Sequence, residues 1–130
     1  MKKYIEITND LERAKKFFEN EMAYKIGPVG LKELIEKNIN SFNLLDVRRY
    51  EDYLEGHIPF AVHIPYEKLE QNLKLLDREK PTIVYCYELT CGLAKKAIMV
   101  LLENYFPSLE LEGGIKTWKE KGFDIIKTEV

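Results

Sequence analysis

Cysteine is scarce in this sequence, and long apolar runs are missing. The 130 residues hold two cysteines, Cys86 and Cys91, and two histidines, His57 and His63. Two cysteines cannot build the disulfide framework of a small secreted domain, and with no histidine at a metal-binding spacing they do not make a zinc site. No stretch approaches the roughly 20 apolar residues of a membrane-spanning helix. The first nine residues alternate polar and apolar without the apolar core of a secretory signal. A reducing, cytoplasmic setting with no membrane contact is the expectation. Charge of one sign is not in excess either, since 20 Lys and Arg against 22 Asp and Glu give a formal charge of -2. That balance lacks the basic face a nucleic-acid partner requires.

With 45% hydrophobic and 32% charged residues, the composition is that of an ordinary globule, and the length suits one domain of roughly 100–150 residues. The pair Gly27-Pro28 divides it into an N-terminal extension, 1–26, and a domain, 27–130. Within the extension, Asn9 or Asp10 can cap a helix over 11–22, where Leu11, Ala14, Phe17, Phe18 and Met22 recur at helical spacing. Its apolar stripe is expected to pack on the domain, with a weak homodimer contact as the alternative. Beyond Pro28 the pattern predicts helices at 29–37, 50–55, 67–76 and 115–121, and a long one after Cys86. Between them lie strands at 42–47, 61–64, 82–86 and 108–111. Such alternation points to an α/β fold, a parallel sheet with helices on both faces.

Cys86 closes the apolar run Ile83-Val84-Tyr85 where a strand hands over to a helix. Ligands of open α/β sheets bind beyond the carboxyl ends of strands. A helix N-terminus there exposes backbone N–H groups and partial positive charge, which is expected to lower the thiol pKa from about 8.5 toward neutrality and expose a nucleophilic sulfur. The same position suits a small buried hydrophobe.

Four separated motifs carry a family resemblance. They are Leu45-Asp46-Val47-Arg48 with Glu51-Asp52-Tyr53, then Gly56-His57-Ile58-Pro59 with Ala61 and Ile64-Pro65, then Tyr85-Cys86, and finally Leu111-Glu112-Gly113-Gly114 with Trp118 and Gly122-Phe123. In order and spacing, over residues 27–126, they resemble the rhodanese family of sulfurtransferases. The resemblance implies a single domain with a five-stranded parallel sheet, and Cys86 as the catalytic cysteine that carries a sulfane sulfur as a persulfide. It implies a substrate-binding loop formed by Tyr87, Glu88, Leu89, Thr90, Cys91 and Gly92, with Asp46 and Arg48 bracing the loops around it. His57 reads as a hydrogen-bonded turn residue and Trp118 as a core anchor.

The loop departs from the commonest rhodanese pattern. It is similar to a less common variant, Cys-Tyr-x-x-x-Cys-x-Leu-Ala, that also has a leading helix. No arginine lies in it to clamp a sulfonate or phosphate, which disfavours phosphatase-type chemistry. Glu88 would repel a dianion such as thiosulfate unless Lys95 and Lys96 compensate, which favours a persulfide donor. Cys91 is a candidate resolving thiol. Phe60 stands where the family usually has glycine, so a negative φ is expected there. The implied partners are a small sulfur donor and a low-molecular-weight or protein thiol acceptor, and no metal or organic cofactor is implied. Two alternatives stay open: a catalytically inert rhodanese-like binding module, and a dithiol redox protein using Cys86 and Cys91.

Overall fold

Short apolar segments separated by helices become five parallel strands. The computed structural model describes residues 10–87 and 91–128. In it β1 (Lys25–Ile26), β2 (Asn43–Asp46), β3 (Val62–His63), β4 (Thr82–Tyr85) and β5 (Ser108–Leu111) form one sheet in the order β1-β5-β4-β2-β3, with every strand pairing parallel. Lys25 and Ile26, counted with the extension from sequence, are the first strand of this sheet and pair with Glu110 and Leu111. The helices are α1 (Leu11–Ala23), α2 (Pro28–Asn38), α3 (Tyr50–Glu55), α4 (Leu93–Glu103) and α5 (Gly114–Glu120).

The period-two alternation of a strand decides which side chains share a face. Leu44, Ile83 and Tyr85 join Leu31, Leu111, Ile115 and Trp118 on one side of the sheet. Leu45, Val84 and Cys86 join Leu69, Ala94, Ala97 and Leu101 on the other. Both faces are covered, so β4 is buried along its whole length. Ala94 and Ala97 present only methyl groups to the sheet, which lets the first turn of α4 lie directly over Cys86. Trp118 is buried and donates its indole N–H to the Asp124 carbonyl at 2.8 Å.

Three expectations are corrected. Residues 67–76 form no α-helix but two 3-10 pieces, Tyr66–Lys68 and Glu70–Leu75, with Asn72 outside helical geometry. The Asn72 side-chain amide donates to the Lys68 carbonyl at 2.8 Å, and such local bonds compete with the helical ladder. Phe60 has φ 74: Pro59-Phe60 occupies the centre of a turn closed by Ala61 N–H to the Ile58 carbonyl at 3.2 Å, and proline in the first central place with positive φ in the second is a type II turn. Holding a phenylalanine there costs about 1–2 kcal/mol relative to glycine.

The third concerns α1. The helix forms, with Asp10 capping it by accepting from Arg13 N–H at 3.1 Å, but its stripe is not packed on the domain. Leu11 and Met22 are 76% and 73% exposed, and Phe17 and Phe18 are 60% exposed. Only Tyr24 separates α1 from β1 at the sheet edge. On so short a tether the helix stands off α4 across a groove of about 540 Å³ lined by Phe17, Tyr24, Ile98, Met99 and Leu102.

Candidate functional site

β2 and β4 end side by side, with Asp46 opposite Tyr85 in register. The residues that follow them, Val47-Arg48 and Cys86-Tyr87, therefore leave the carboxyl edge of the sheet together. A buried polar knot holds this edge. The Arg48 guanidinium donates to both Asp46 carboxylate oxygens, Nε to Oδ1 at 3.1 Å and Nη2 to Oδ2 at 2.8 Å, and to the Gly56 carbonyl at 2.6 Å. Arg48 N–H adds a bond to Asp46 Oδ1 at 2.9 Å. The Tyr85 hydroxyl is bonded to Asp46 and accepts from Ile58 N–H at 3.1 Å. Burial, helped by the Asp46 charge, pushes the Tyr85 hydroxyl pKa well up, so it remains a donor. Asp46 is fully buried, and a charge in that position is tolerable only because its oxygens are occupied.

Cys86 sits in the next layer. Its carbonyl and that of Tyr87 accept from Ile115 N–H at 3.0 Å and Lys116 N–H at 2.8 Å, in the first turn of α5. Gly114 makes that contact feasible. It has φ 62, and a β-carbon there would lie 2.6 Å from the Tyr87 carbonyl oxygen and 2.8 Å from that of Cys86, closer than real atoms approach. With their carbonyls tied to α5, the backbone is left with N–H groups for the sulfur: those of Tyr87 and of Ala94, in the first turn of α4, are hydrogen-bonded to Cys86 Sγ. The thiol donates to the Cys91 carbonyl, with Sγ···O at 3.5 Å, and its side chain is also hydrogen-bonded to that of Cys91. Both residues are thiols.

The sulfur does not face open solvent as expected, for Cys86 is only 2% exposed. Cys86 nonetheless lines a cavity of about 370 Å³ together with Arg48, Arg49, Asp52, Glu55, Tyr87, Cys91, Leu93 and Lys119. That space exceeds the roughly 30 Å³ share of one water many times over, so a sulfur adduct on Cys86 has room to extend. The expected fall in thiol pKa is also overturned. Burial, followed by the Cys91 hydrogen bond, pushes the Cys86 thiol up to about 12, against the opposing pull of the Ala94 and Tyr87 amides. Desolvation of a thiolate here outweighs what two amides return.

Lys95 does not compensate charge at this cavity. It pairs with Glu110 at 2.8 Å and 2.9 Å beside the α1 groove, and Lys96 is not among the cavity residues. The cations here are Arg48, tied to Asp46, Arg49, paired with Asp52 at 3.3 Å, and Lys119, which has no carboxylate partner among the described residues. Sequence reading missed Arg49, Glu55 and Lys119 as cavity residues. The available signal was that Arg49 to Glu55 follow the Asp46-Val47-Arg48 motif directly, and that Lys119 follows Gly113-Gly114 by little more than one helical turn.

Of the expected loop, Tyr87 is half exposed and lines the cavity with Cys91, while Gly92 precedes α4. Glu88, Leu89 and Thr90, and with them the charge expected from Glu88, lie outside the described residues. His57 is not among the cavity residues: its Nδ1 lies 2.9 Å from the Tyr53 carbonyl, and its backbone bridges Ile126. The Tyr53 ring stacks on both histidines, with centroids 3.8 Å from His57 and 4.5 Å from His63. Among the described residues, no group of three or more His, Cys, Asp or Glu could hold a metal ion, and no helix is long and apolar enough to cross a membrane.

A cysteine at the end of a central parallel strand, held between two helix starts and facing a small cavity, is the arrangement of one class. The chain belongs to the rhodanese-like domain family, which matches residues 29–121. Among particular relatives, it is 36% identical over 89 residues to the thiosulfate sulfurtransferase GlpE of Coxiella burnetii, covering 67% of this chain and 78% of that protein. It is 32% identical over 96 residues to YtwF of Bacillus subtilis, whose name marks it as a candidate sulfurtransferase, covering 73% and 89%. The crystal structure of the BH2092 protein from Bacillus halodurans superposes with a TM-score of 0.82 at 32% identity, over 90% of this chain and 86% of that one.

Proposed function

We propose that this chain is a sulfurtransferase that takes a sulfane sulfur onto Cys86 and passes it to an acceptor thiol. The observation that carries the reading is Cys86 lining the cavity, with the Tyr87 and Ala94 amides hydrogen-bonded to its sulfur. Those amides suit the terminal sulfur charge of a persulfide less than they suit the thiolate itself, but the cavity adds Lys119 to receive an anion. The names of the relatives lend support for the reaction class.

The resting thiol is neutral, so sulfur uptake must dispose of a proton. With a persulfide anion R–S–S⁻ as donor the balance is internal. The Cys86 sulfur bonds to the outer sulfur, the donor S–S bond breaks, and the departing R–S⁻ takes the Cys86 proton, leaving Cys86–S–S⁻ and R–SH. A departing thiolate, whose conjugate acid has a pKa near 8.5, is a stronger base for that proton than sulfite leaving from thiosulfate. An acceptor thiolate then attacks the outer sulfur and frees Cys86, which gives ping-pong kinetics. For these reasons a persulfide of a small or protein thiol is the preferred donor.

Steady-state transfer to a thiol acceptor tests both levels of the proposal. Parallel double-reciprocal lines, faster turnover with glutathione persulfide than with thiosulfate, and loss of turnover in Cys86→Ser are expected. Turnover retained in Cys86→Ser would overturn the reading; thiosulfate as the much faster donor would overturn the donor preference alone.

A further inference from the structure

Cys91 has a place in the site that simple sulfur carriage does not use. Its carbonyl oxygen is 3.5 Å from Cys86 Sγ, which puts the Cys91 α-carbon within about 6 Å of that sulfur by standard backbone dimensions. The two side chains are in hydrogen-bonding contact, and both border the same cavity. Cys91 is the more exposed of the two. A sulfur added to Cys86 has to extend into that cavity, which leaves Cys86 Sγ, now the inner sulfur of a persulfide, beside the Cys91 thiol.

Resting on the proposed sulfur uptake by Cys86, we infer that Cys91 is a resolving thiol that discharges the Cys86 persulfide as sulfide, giving the protein a persulfide-reducing activity alongside transfer. The Cys91 sulfur bonds to Cys86 Sγ and the bond from Cys86 Sγ to the outer sulfur breaks. Its electron pair leaves with the outer sulfur, which takes the Cys91 proton. The products are a Cys86–Cys91 disulfide and hydrosulfide, HS⁻. The sulfane sulfur is reduced by two electrons and the two thiols are oxidised by two, so no external oxidant enters. Two equivalents of a small thiol, or one dithiol, then reduce the disulfide and reset the site. The held geometry sets the branch between the two outcomes, because an internal thiol competes with a dissolved acceptor at high effective concentration.

The test is a single-turnover experiment on the full chain. Reduced protein is loaded with glutathione persulfide, desalted rapidly, and left without added thiol while free sulfide and intact mass are followed. Wild type is expected to release close to one sulfide per loaded chain and to end two hydrogens lighter than the dithiol, with Cys86 and Cys91 linked in the peptide map. Cys91→Ser and Cys91→Ala are expected to hold the added sulfur, releasing sulfide at least about tenfold more slowly, and to hand it over when an acceptor thiol is added. A loaded wild type that keeps its persulfide as long as the Cys91 variants do would overturn this inference and leave sulfur transfer standing. Failure of all three proteins to gain sulfur would overturn the transfer reading, and the resolving step with it.

Discussion

The two cavities described above differ in a way that locates the chemistry. The groove between α1 and α4 is the larger, about 540 Å³, and is walled by Phe17, Tyr24, Ile98, Met99 and Leu102. The cavity at Cys86 is smaller, about 370 Å³, with charged walls and a thiol. The groove also takes in Lys25, Ser108, Leu109 and Glu110 from β1 and β5, but it holds no thiol. At Cys86 the β4 register, the α5 amides on the Cys86 and Tyr87 carbonyls, and the Asp46-Arg48-Tyr85 knot fix where the sulfur and its donors point. Size follows from how α1 stands off α4 and the β1–β5 side of the sheet, whereas reactivity follows from strand ends and backbone amides that the fold holds in place.

That contrast can be broken in several ways. The largest effect expected is on pH dependence. With the Cys86 thiol pushed up to about 12, the thiolate fraction grows about tenfold per pH unit below that value. Alkylation of Cys86 by iodoacetamide, mapped by peptide mass, should therefore rise on the order of a thousandfold from pH 6 to 9. A plateau near pH 7 would mean that the amides win over burial. Next comes Arg48→Met, which leaves the fully buried Asp46 carboxylate without its bidentate partner. Removing one member of such a pair costs about 3–5 kcal/mol of stability, measurable by urea unfolding, and loosens the loops on which uptake depends.

Gly114→Ala should cost about 2–4 kcal/mol, because the added methyl meets the Cys86 and Tyr87 carbonyls at positive φ. Its sulfur uptake should fall by more than its stability explains, since the displaced carbonyls carry the Tyr87 amide with them. The smallest effect belongs to the groove. Met99, 57% exposed on α4, should tolerate substitution by Lys within about 0.5 kcal/mol and with unchanged sulfur uptake. A strong loss of uptake in Met99→Lys would join the two regions functionally.

Much of the sheet was legible because buried parallel strands read as short apolar runs. The segment 108–111 and the helix 50–55 were placed to the residue. The position of Cys86 at the end of β4 was legible for the same reason, since Ile83, Val84 and Tyr85 announce the strand and Leu93, Ala94 and Ala97 the helix. Sequence did not disclose the sign of the thiol shift, which depends on how much water the packed α4 turn excludes. Nor did it disclose the exposed stripe of α1, whose spacing is that of a packed helix but whose one-residue tether at Tyr24 sets it off the domain. At Phe60 the proline before it demanded a turn, and the turn type overrode the side chain's own preference. The proximity of Cys91 to Cys86 is a tertiary fact, since five residues of separation allow many distances.

The central claim is that the sulfur at the end of β4 accepts a sulfane atom, and peptide-level mass analysis after one loading with glutathione persulfide tests it most directly. The mark should be traced with excess iodoacetamide added at once, before any discharge. Prediction and contradiction separate cleanly: one extra sulfur on the peptide containing Cys86, absent from Cys86→Ser, is the expected result. An unmodified Cys86 beside an intact fold, or added sulfur found only on Cys91, would contradict it.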